Sequence, residues 1–522
     1  MKDPEVSATS VPSTPEMMAK VEVPLSKAPE ALLQQHDLPV SKAVFLYKKA
    51  IFWSIVMSTS IIMEGYDTLL IGSFFGQPAF AEKYGHLTKK HGHQISAPWQ
   101  SGLNIGSTCG QLAGLLLAGY ASERFGFRRT MMAGLLSITG VIFIQFFAPN
   151  LAVFEVAQIL IGIPLGIFQT TAVVYAHEVA PTPLQGFLTA IGHFIGAGVL
   201  RGSLQLKGEW AYKIPFAIQW IWPVMLLPLI FLAPESPWWL VRKARIDEAR
   251  SMQQRLMSSE MTSENVNRDV NMIVYTTDLE REIQSKSSYL ACFKGQDLQR
   301  TLVVIGIYCT QTMCGNPLRS SSTYFLEQAG LPTGQSFDMT MISYALAVLG
   351  GIASWAMLPF YGRRTVYFWS LVMMLVLLII IGALGVEDNH TSNRAIPRAI
   401  GSILIISSFL YNAAMGPLTN TLCVSIPSSL LRSKSVALAR WFYAATGIAA
   451  GIMQPYMNNP EAWNWGAKSG FFWAGACLLS VIFAYFFVPE TKDRTTAEID
   501  LLYERGISAR YSKNATLIEL DD

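Results

Sequence analysis

Long apolar stretches separated by short polar segments occupy most of the chain between residues 51 and 488. Each stretch approaches the ~20 residues that an α-helix needs to cross the ~30 Å hydrocarbon core of a bilayer. The predicted spans are 51–75, 101–120, 131–148, 152–175, 187–205, 214–233, 301–326, 340–360, 365–386, 398–423, 435–457 and 469–488, numbered 1 to 12. The pattern predicts an all-α membrane protein with 12 transmembrane helices in two six-helix bundles.

Three short motifs recur in the same order, roughly half a chain apart. FGFRRT at 125–130 is echoed by YGRRT at 361–365, EVAP at 178–181 by SIP at 425–427, and PESP at 234–237 by PETK at 489–492. Ordered self-similarity of this kind indicates a duplicated unit. In a membrane protein, two parallel repeats are typical of a transporter whose binding site lies between the halves.

The repeats and the polar insert between spans 6 and 7 divide the chain. We expect a disordered cytoplasmic N-terminal tail at 1–45, which is polar and lacks the apolar core of a signal peptide. The predicted domains are a first bundle at 46–234, cytoplasmic linker helices at 235–300, a second bundle at 301–490 and a cytoplasmic tail at 491–522.

Composition supports membrane residence and gives no sign of an enzyme. Half of the residues are hydrophobic (51%) and only 14% are charged, against about a quarter in soluble domains. The six cysteines have no metal-site spacing and are interpreted as packing residues. The sequence contains no G-x-x-x-x-G-K-[ST] loop for ATP phosphates. We therefore expect no cofactor, no metal and no nucleic-acid partner.

Basic residues orient the bundle, because cytoplasmic loops of membrane proteins are enriched in Lys and Arg. With both termini cytoplasmic, the loops after spans 2, 8 and 10 place the following residues inside: Arg124, Arg128, Arg129, Arg363, Arg364 and Arg432. Five lysines in the opposite loops make this bias incomplete. The N-glycosylation sequon at Asn389 then lies outside, in the loop between spans 9 and 10. The expected location is the plasma membrane.

The loop between spans 2 and 3, GYASERFGFRR at 119–129, resembles the G-x-x-x-D-R-x-G-R-R signature of the major facilitator superfamily. Together with PESP and PETK it is similar to the sugar porter family. The resemblance implies an interdomain charge clamp that conformational changes must break. Its gating residues would be Glu123, Arg124, Arg128, Arg129, Glu178, Glu235, Arg363, Arg364, Arg432 and Glu490. Pro359 and Ser425 stand at acidic positions of the second copy, which weakens the clamp there.

Within that family, the chain looks like fungal α-glucoside (maltose-type) permeases from about residue 45 to residue 500. The matching segments include EGYDT at 64–68, GIPLGIFQ at 162–169 and STYFLEQAG at 322–330. This resemblance implies import of a sugar, an α-glucoside such as maltose or a hexose, by proton symport and alternating access. It also implies a protein that works as a monomer in the lipid bilayer.

Acidic residues inside spans are costly and usually functional or paired, which makes them candidates for proton coupling. Asp67 matches the protonation site of proton-coupled sugar porters, while Glu64 lies one turn earlier and Glu155 lies in span 4. Many sugar porters pair that Asp with an Arg in span 4, but Gln158 stands at the matching position here. The alternative is that Asp67 only forms hydrogen bonds between helices.

Sugar contacts should come from amides, hydroxyls and aromatic rings that face a central cavity. Spans 7 and 10 both contain Gly-Pro interruptions, which are tolerated where backbone lines a cavity. Besides Gln158, the candidate binding residues in these spans are Gln311, Asn316, Tyr324, Tyr411, Asn412 and Asn420. Each of them could instead form interhelical hydrogen bonds.

Two arginines depart from the family pattern. Arg201 in span 5 and Arg319 in span 7 add positive charge near the outer ends of their helices. Either their head groups reach the outer membrane surface, or they bind substrate. The second reading opens an alternative function, a transporter or exporter of an anionic organic acid or secondary metabolite. A non-transporting sugar sensor is a further alternative, which the short tail after Glu490 disfavours.

The predicted topology can be tested by glycosylation. Asn389→Gln should abolish an electrophoretic mobility shift that glycosidase treatment also removes, because Asn389 is expected to face the secretory lumen during biogenesis. Asn514, the matched control in the sequon Asn-Ala-Thr of the C-terminal tail, should stay unmodified. Modification of Asn514 with a bare Asn389 would show that the orientation is inverted.

Overall fold

The computed structural model describes the folded part of the chain with interruptions. The described residues are 48–88, 92–179, 185–206, 208–257, 263–285, 289–358, 360–388, 395–428, 431–492, 494, 498–499, 502–503, 505–506, 509–510 and 512. The predicted N-terminal tail at 1–45, the glycosylation candidate Asn389, Pro359 and most of the C-terminal tail lie outside them. Within the described residues the fold is almost entirely helical.

Helices occupy all 12 predicted spans. They are Lys48–Phe74 (span 1), Ala97–Phe125 (2), Phe127–Phe146 (3), Leu151–Val179 (4), Gln185–Ser203 (5), Trp210–Ile218 with Ile221–Leu232 (6), Gly295–Met313 with Asn316–Ser320 and Ser322–Gln328 (7), Thr333–Met357 (8), Arg363–Asp388 (9), Ala395–Leu410 with Gly416–Ser425 (10), Arg432–Asn458 (11) and Ser469–Phe487 (12). Among the described residues, 8 helical segments can cross a membrane by length and composition, and they correspond to all spans except 1, 2, 5 and 7. Seven of the twelve candidate coupling and binding residues lie in those four spans: Glu64, Asp67, Arg201, Gln311, Asn316, Arg319 and Tyr324.

Short elements mark the two ends of the bundle. Between spans 1 and 2, a helix at Pro78–Tyr84 leads into two antiparallel strands, β1 (His86–Thr88) and β2 (Gly92–Gln94), with His86 opposite Gln94. The opposite end carries the linker helices Pro237–Arg242, Ile246–Leu256 and Ser263–Ser285, followed by the 3₁₀ turn Tyr289–Phe293. Another 3₁₀ turn, Gly466–Lys468, precedes span 12. We call these ends the hairpin end and the linker end.

Buried apolar side chains form two clusters, one centred in each half. The first includes Phe74, Phe154 and Phe168, and the second includes Tyr367 and Leu404. Two residues of the second half, Tyr324 and Phe337, are buried in the first cluster. The halves therefore have separate cores but share a packed seam.

Glycines let pairs of helices in the first half pack with their backbones in direct contact. A methyl group on Gly65 of span 1 would stand 2.4 Å from the carbonyl oxygen of Thr189 in span 5, and one on Gly192 would stand 2.2 Å from that of Ile62. Spans 2 and 4 pack in the same manner through Gly110, Gly114, Gly162 and Gly166. Small residues at helix interfaces drive association in lipid, where apolar burial alone does not.

The two predicted interruptions differ in kind. Span 7 is broken as predicted, because its first helix ends at Met313 and Gly315 adopts a left-handed conformation with φ of 83°. The prediction of a break in span 10 is wrong, since a π-helical turn, Tyr411–Met415, continues directly into the helix that begins at Gly416. A π-turn widens the helix locally and accommodates Pro417 without interrupting it.

The glutamates of PESP and PETK make equivalent contacts in both halves. Oε1 of Glu235 accepts hydrogen bonds from the backbone N–H groups of Phe127 (2.9 Å) and Arg128 (3.4 Å), in the first turn of span 3. Oε1 of Glu490 accepts them from Arg363 (2.9 Å) and Arg364 (3.4 Å) in span 9. A carboxylate at a helix N-terminus is stabilised by unpaired N–H donors and by the helix dipole. Burial raises the pKa of Glu235, and these backbone donors oppose the rise.

Gly126 should be required for the contact with Glu235. Its φ of 92° disfavours a side chain, and an added methyl group would stand 2.5 Å from Glu235 Oε2. Gly126→Ala should therefore destabilise the protein by about 1–3 kcal/mol, measured as a lower midpoint of thermal unfolding in detergent. Gly140→Ala is the matched control, because Gly140 lies within the span 3 helix with open space around it. Equal midpoints for the two variants would contradict the assignment.

Candidate functional site

Polar contacts join the two halves at the hairpin end. Thr88 Oγ1 donates to Glu461 Oε1 (2.9 Å), and His86 Nε2 lies 2.6 Å from Glu461 Oε2. Tyr324 donates its hydroxyl to Gln94 Oε1 at 3.0 Å. Further contacts run from Asn459 Nδ2 to the Ile95 carbonyl (2.9 Å) and between the hydroxyls of Ser73 and Thr323 (3.3 Å). These contacts hold this end of the molecule closed in the present conformation.

Arg201 contributes an ion pair to the same closure. Its Nε lies 2.5 Å from Oδ1 of Asp338 in span 8, and its Nη2 donates to Oδ2 at 3.3 Å. The contact is bidentate, crosses from the first half to the second, and leaves both side chains partly exposed. Neither sequence-based reading of Arg201 anticipated this role.

The predicted coupling residue Asp67 is fully inside the first half. Its side chain is 1% exposed, and Oδ1 accepts a hydrogen bond of 2.7 Å from Gln219 Nε2 in the segment that joins the two helices of span 6. Its Oδ2 is buried without a partner. Gln158 is also completely buried, and neither of its amide atoms has a partner.

Glu64 faces the second half from the same turn of span 1. Gln169 of span 4 donates to its Oε1 at 3.4 Å, while its Oε2 is buried and unpaired. From the second half, Arg440 and Tyr443 of span 11 are close enough to interact with it electrostatically. We call the region between the halves that Glu64, Arg440 and Tyr443 border the cleft. Glu155 is not part of this arrangement, since it packs against Gly106 of span 2 at the contact between spans 2 and 4.

Aromatic rings, an amide and an arginine come together in the second half. The Tyr308 hydroxyl donates to Asn420 Oδ1 at 3.3 Å, and its ring centroid lies 6.2 Å from that of Tyr443. Arg440 is also within hydrogen-bonding reach of the Tyr308 hydroxyl. Glu64 of the first half therefore faces a cluster with several donors and several ring faces.

Arg319 lies inside the protein, which excludes the reading that its head group reaches the membrane surface. It is 8% exposed, and its Nη1 donates to the Cys314 carbonyl (3.1 Å), at the C-terminal end of the first helix of span 7. Its guanidinium lies 4.5 Å from the centre of the Tyr411 ring. A cation at a helix C-terminus is favourable, so Arg319 stabilises the break in span 7. Among the described residues, no carboxylate forms an ion pair with it.

The remaining predicted sugar-binding residues are scattered. Gln311 is buried one turn before the break in span 7, and Asn316 is half-buried just after it. Asn412 bonds back to the Ser408 carbonyl of its own helix (3.0 Å). Tyr324 belongs to the seam at the hairpin end. The structure thus brings Asn420 and Tyr411 to the aromatic side of the cleft and leaves Tyr324 outside it.

Glu123 and Glu178, two acids of the predicted charge clamp, pair within the first half and its linker. Glu123 lies 3.5 Å from Arg242 and 3.9 Å from Lys243, at the end of the helix that PESP begins. Arg242 also bonds Glu178 at 2.8 Å, and Ser236 donates its hydroxyl to Glu178. Among the described residues, Glu123 and Glu178 therefore form no ion pair with the second bundle in this conformation. They tie loop 2–3 and span 4 to the linker.

The arginines assigned to gating have varied surroundings. Arg124 lies over the rings of Tyr120 and Phe125, and Arg128 lies over Phe231. The others are placed as follows: Arg129 is exposed, Arg363 donates to Ser425 Oγ (3.3 Å) and Thr491 Oγ1 (3.4 Å), Arg364 donates to the carbonyls of Tyr485 (2.7 Å) and Arg510 (3.2 Å), and Arg432 is half-buried at the start of span 11.

The partners of the candidate coupling acids are not evident from the sequence. Gln219, Gln169 and Arg440 are polar residues within or beside spans, a signal visible in the sequence. Their spans lie far from span 1 along the chain, so only the packing of the bundle pairs them with Asp67 and Glu64. Asp338 was missed for the same reason, since its partner Arg201 is in the other half.

Comparison with known proteins agrees with this architecture. The model of the family described as "Sugar (and other) transporter" matches residues 53–503. The chain is 37% identical over 495 residues to the general alpha-glucoside permease of Saccharomyces cerevisiae, covering 92% of this chain and 80% of that protein. It is also 37% identical over 503 residues to the maltose permease MAL61 of the same species, covering 94% and 81%.

Solved structures match the fold at low sequence identity. The inward-open xylose transporter XylE of E. coli superimposes with a TM-score of 0.66 at 18% identity, covering 87% of this chain and 99% of that chain. Its partially occluded inward-open form gives a TM-score of 0.67 at 17% identity, covering 86% and 100%. A further XylE structure, described as a major facilitator superfamily protein, gives a TM-score of 0.65 at 17% identity, covering 87% and 99%. The chain therefore belongs to the sugar (and other) transporter family and is a multi-pass membrane protein with the major facilitator fold.

Proposed function

We propose that the protein imports a sugar, most simply an α-glucoside of the maltose type, by proton symport and alternating access. The observation that supports this most directly is the pair of buried carboxyl groups, Asp67 and Glu64, on one turn of span 1 beside the cleft. The similarity to permeases named for α-glucosides and maltose supports the substrate class. In this proposal the protein works as a monomer in the plasma membrane with both termini cytoplasmic, so the hairpin end is extracellular.

Asp67 has the surroundings expected of a group that binds and releases a proton. An ionised carboxylate away from water requires a cation or several donors. Asp67 has a single neutral donor, Gln219, and one oxygen without a partner. Gln158 brings no charge to span 4. The absence of a fixed positive partner leaves a transferable proton as the simplest means of neutralising Asp67.

Glu64 can connect proton binding to the sugar. It is held by Gln169 on one side and faces Arg440 on the other. A sugar placed between Glu64 and Arg440 would receive hydrogen bonds from Arg440 and Asn420. The rings of Tyr308 and Tyr443 would cover the C–H faces of the sugar. Binding would then change the surroundings of Glu64, one turn from Asp67. Proton and sugar occupancy are coupled at this point.

The geometry favours a neutral sugar over an anionic substrate. That alternative was based on Arg201 and Arg319, and both have other partners here. Arg201 pairs with Asp338, and Arg319 is engaged by a carbonyl group and the Tyr411 ring. Neither arginine requires an anionic ligand for its charge to be stabilised.

Removal of the carboxyl group of Asp67 should uncouple transport. In proteoliposomes, a gradient of one pH unit supplies ~1.4 kcal/mol per proton, enough for about tenfold sugar accumulation. Asp67→Asn should reduce the accumulation ratio of maltose to about one, because no proton gradient can then drive uptake. Exchange of labelled for unlabelled maltose without a gradient should persist, which distinguishes uncoupling from misfolding.

Two other acids serve as controls for Asp67. Glu155→Gln should retain accumulation, since Glu155 packs against Gly106 at the contact between spans 2 and 4. Glu64→Gln should lower both accumulation and exchange. If a pH gradient accelerates the uptake of none of maltose, glucose and sucrose in the unmodified protein, proton symport is the wrong mechanism.

Replacement of Arg319 distinguishes a neutral sugar from an anionic substrate. The proposal of a neutral sugar makes the following prediction. Arg319→Gln should lower uptake of all substrates to a similar extent, because it weakens the break in span 7 and not a ligand contact. The measurement compares uptake of maltose with uptake of small organic acids in parent and variant. A selective loss of acid uptake by a factor of about ten, or ~1.4 kcal/mol, would support substrate binding by Arg319 instead.

A further inference from the structure

The seam at the hairpin end contains a carboxyl group to which the proposed mechanism gives no role. Glu327 lies in the last helical piece of span 7, Ser322–Gln328, which packs against span 1. Its Oε1 is buried and has no hydrogen-bond partner. Its Oε2 lies against the turn that follows span 1, since a methyl group on Gly76 in that turn would stand 2.5 Å from it. The contact between spans 1 and 7 therefore encloses this carboxyl group.

The described surroundings of Glu327 do not supply a compensating positive charge. The Thr333 hydroxyl is within hydrogen-bonding reach. Tyr324 lies near both Glu327 and Glu461, and neither Tyr324 nor Glu461 carries a positive charge in any state. His86 is paired with Glu461. The elements that pack on this helix also carry Asp338, which pairs with Arg201, and Arg319, which donates to the Cys314 carbonyl. They carry the exposed Arg398 and Lys468 as well. No Lys, Arg or His nitrogen among the described residues forms an ion pair with Glu327.

An ionised carboxylate enclosed in this way is penalised by several kcal/mol, whereas a neutral carboxylic acid avoids most of that penalty. The enclosure exists only while spans 1 and 7 are in contact. When the hairpin end opens, Gly76 and Glu327 separate and water reaches the carboxyl group. The two conformations therefore differ in the protonation state that each stabilises.

We propose that Glu327 is a proton-binding residue of the outer gate, neutral while the seam is closed and ionised when the hairpin end opens. On closing, a carboxylate oxygen forms an O–H bond with a proton taken from the water on the hairpin side. On opening, that bond breaks and the proton returns to the same side. Closure of this end is thereby favoured by acid on the hairpin side.

This inference rests on the alternating-access transport proposed above, but not on the identity of the sugar nor on the role of Asp67. If one proton is bound per closure, the equilibrium between closed and open seams changes by at most about tenfold per pH unit. The sugar-linked proton and the gate proton are separate, because Asp67 is enclosed by span 6 of the first half, while Glu327 is enclosed by a contact between halves.

The experiment measures opening of the seam directly. Ser73→Cys places a thiol in span 1 opposite Thr323 within the seam. Full-length protein in proteoliposomes is labelled from the hairpin side with a membrane-impermeant maleimide, and background from the native cysteines is subtracted with the parent chain. The thiolate fraction itself rises with pH. The diagnostic quantity is therefore a ratio of two labelling rates at each pH: that of the Ser73→Cys protein, divided by that of the Ser73→Cys protein that also carries Glu327→Gln.

We expect this ratio to rise between about pH 5 and pH 8, by up to about tenfold per pH unit, because the glutamine of the Glu327→Gln variant would remain neutral and keep the seam closed. Glu327→Asp should retain a pH-dependent rate. Glu209→Gln is the matched control at the same end, because hydrogen bonds from Lys213 and Lys83 lower the pKa of Glu209 to about 2, outside the measured range. That variant should keep the pH profile of the reporter.

A ratio that stays constant across this range would overturn the proposal, since Glu327 would then not be the group that titrates. The outcome is separable from failure of proton symport. A rising ratio without sugar accumulation driven by a pH gradient would sustain the gate and refute the symport. Sugar accumulation driven by a pH gradient, together with a constant labelling ratio, would sustain the symport and refute the gate.

Discussion

The candidate site depends on the close packing of span 1 against span 5, where the two helix backbones are in contact. Gly65 lies between Glu64 and Tyr66, and its missing side chain lets the Thr189 carbonyl come within a distance that any Cβ would block. Lipid offers no hydrophobic drive to bring helices together, so such packing, with interhelical hydrogen bonds, has to hold the bundle. The contact fixes the rotation of span 1, which directs Asp67 toward Gln219 and Glu64 toward span 11.

The two halves share the glutamate cap at the linker end and differ in most other polar residues. Glu235 and Glu490 cap spans 3 and 9 through equivalent N–H groups, and a glycine precedes each capped helix. Away from the caps the halves differ. Asp67 and Glu64 belong to the first half, whereas the aromatic rings, Asn420 and Arg440 belong to the second. In the proposed mechanism, proton binding and sugar binding therefore reside in different bundles, and the cleft between them is where they meet.

In the proposed mechanism, the charges at the hairpin end take part in the conformational change and not in ligand binding. Arg201 and Asp338 form their bond between halves, as do Glu461 and the hairpin residues His86 and Thr88. Exposed ion pairs of this type are each worth about 0–1 kcal/mol. Contacts this weak can hold one end closed and still break within a transport cycle. A substrate-binding role for Arg201 becomes unnecessary once its partner is known.

The sequence alone determined the membrane class, the 12 spans, the duplication and the family, because hydrophobic length and repeated motifs are local properties of the chain. It also located the break in span 7, since Gly315 and Pro317 carry their own conformational constraints. Tertiary structure alone decided which polar residues meet. Asp67 and Gln219 are 152 positions apart, and Arg201 and Asp338 are 137 positions apart. No local pattern records the rotation of a helix about its axis or the packing between helices, and these two quantities decide whether a buried charge has a partner.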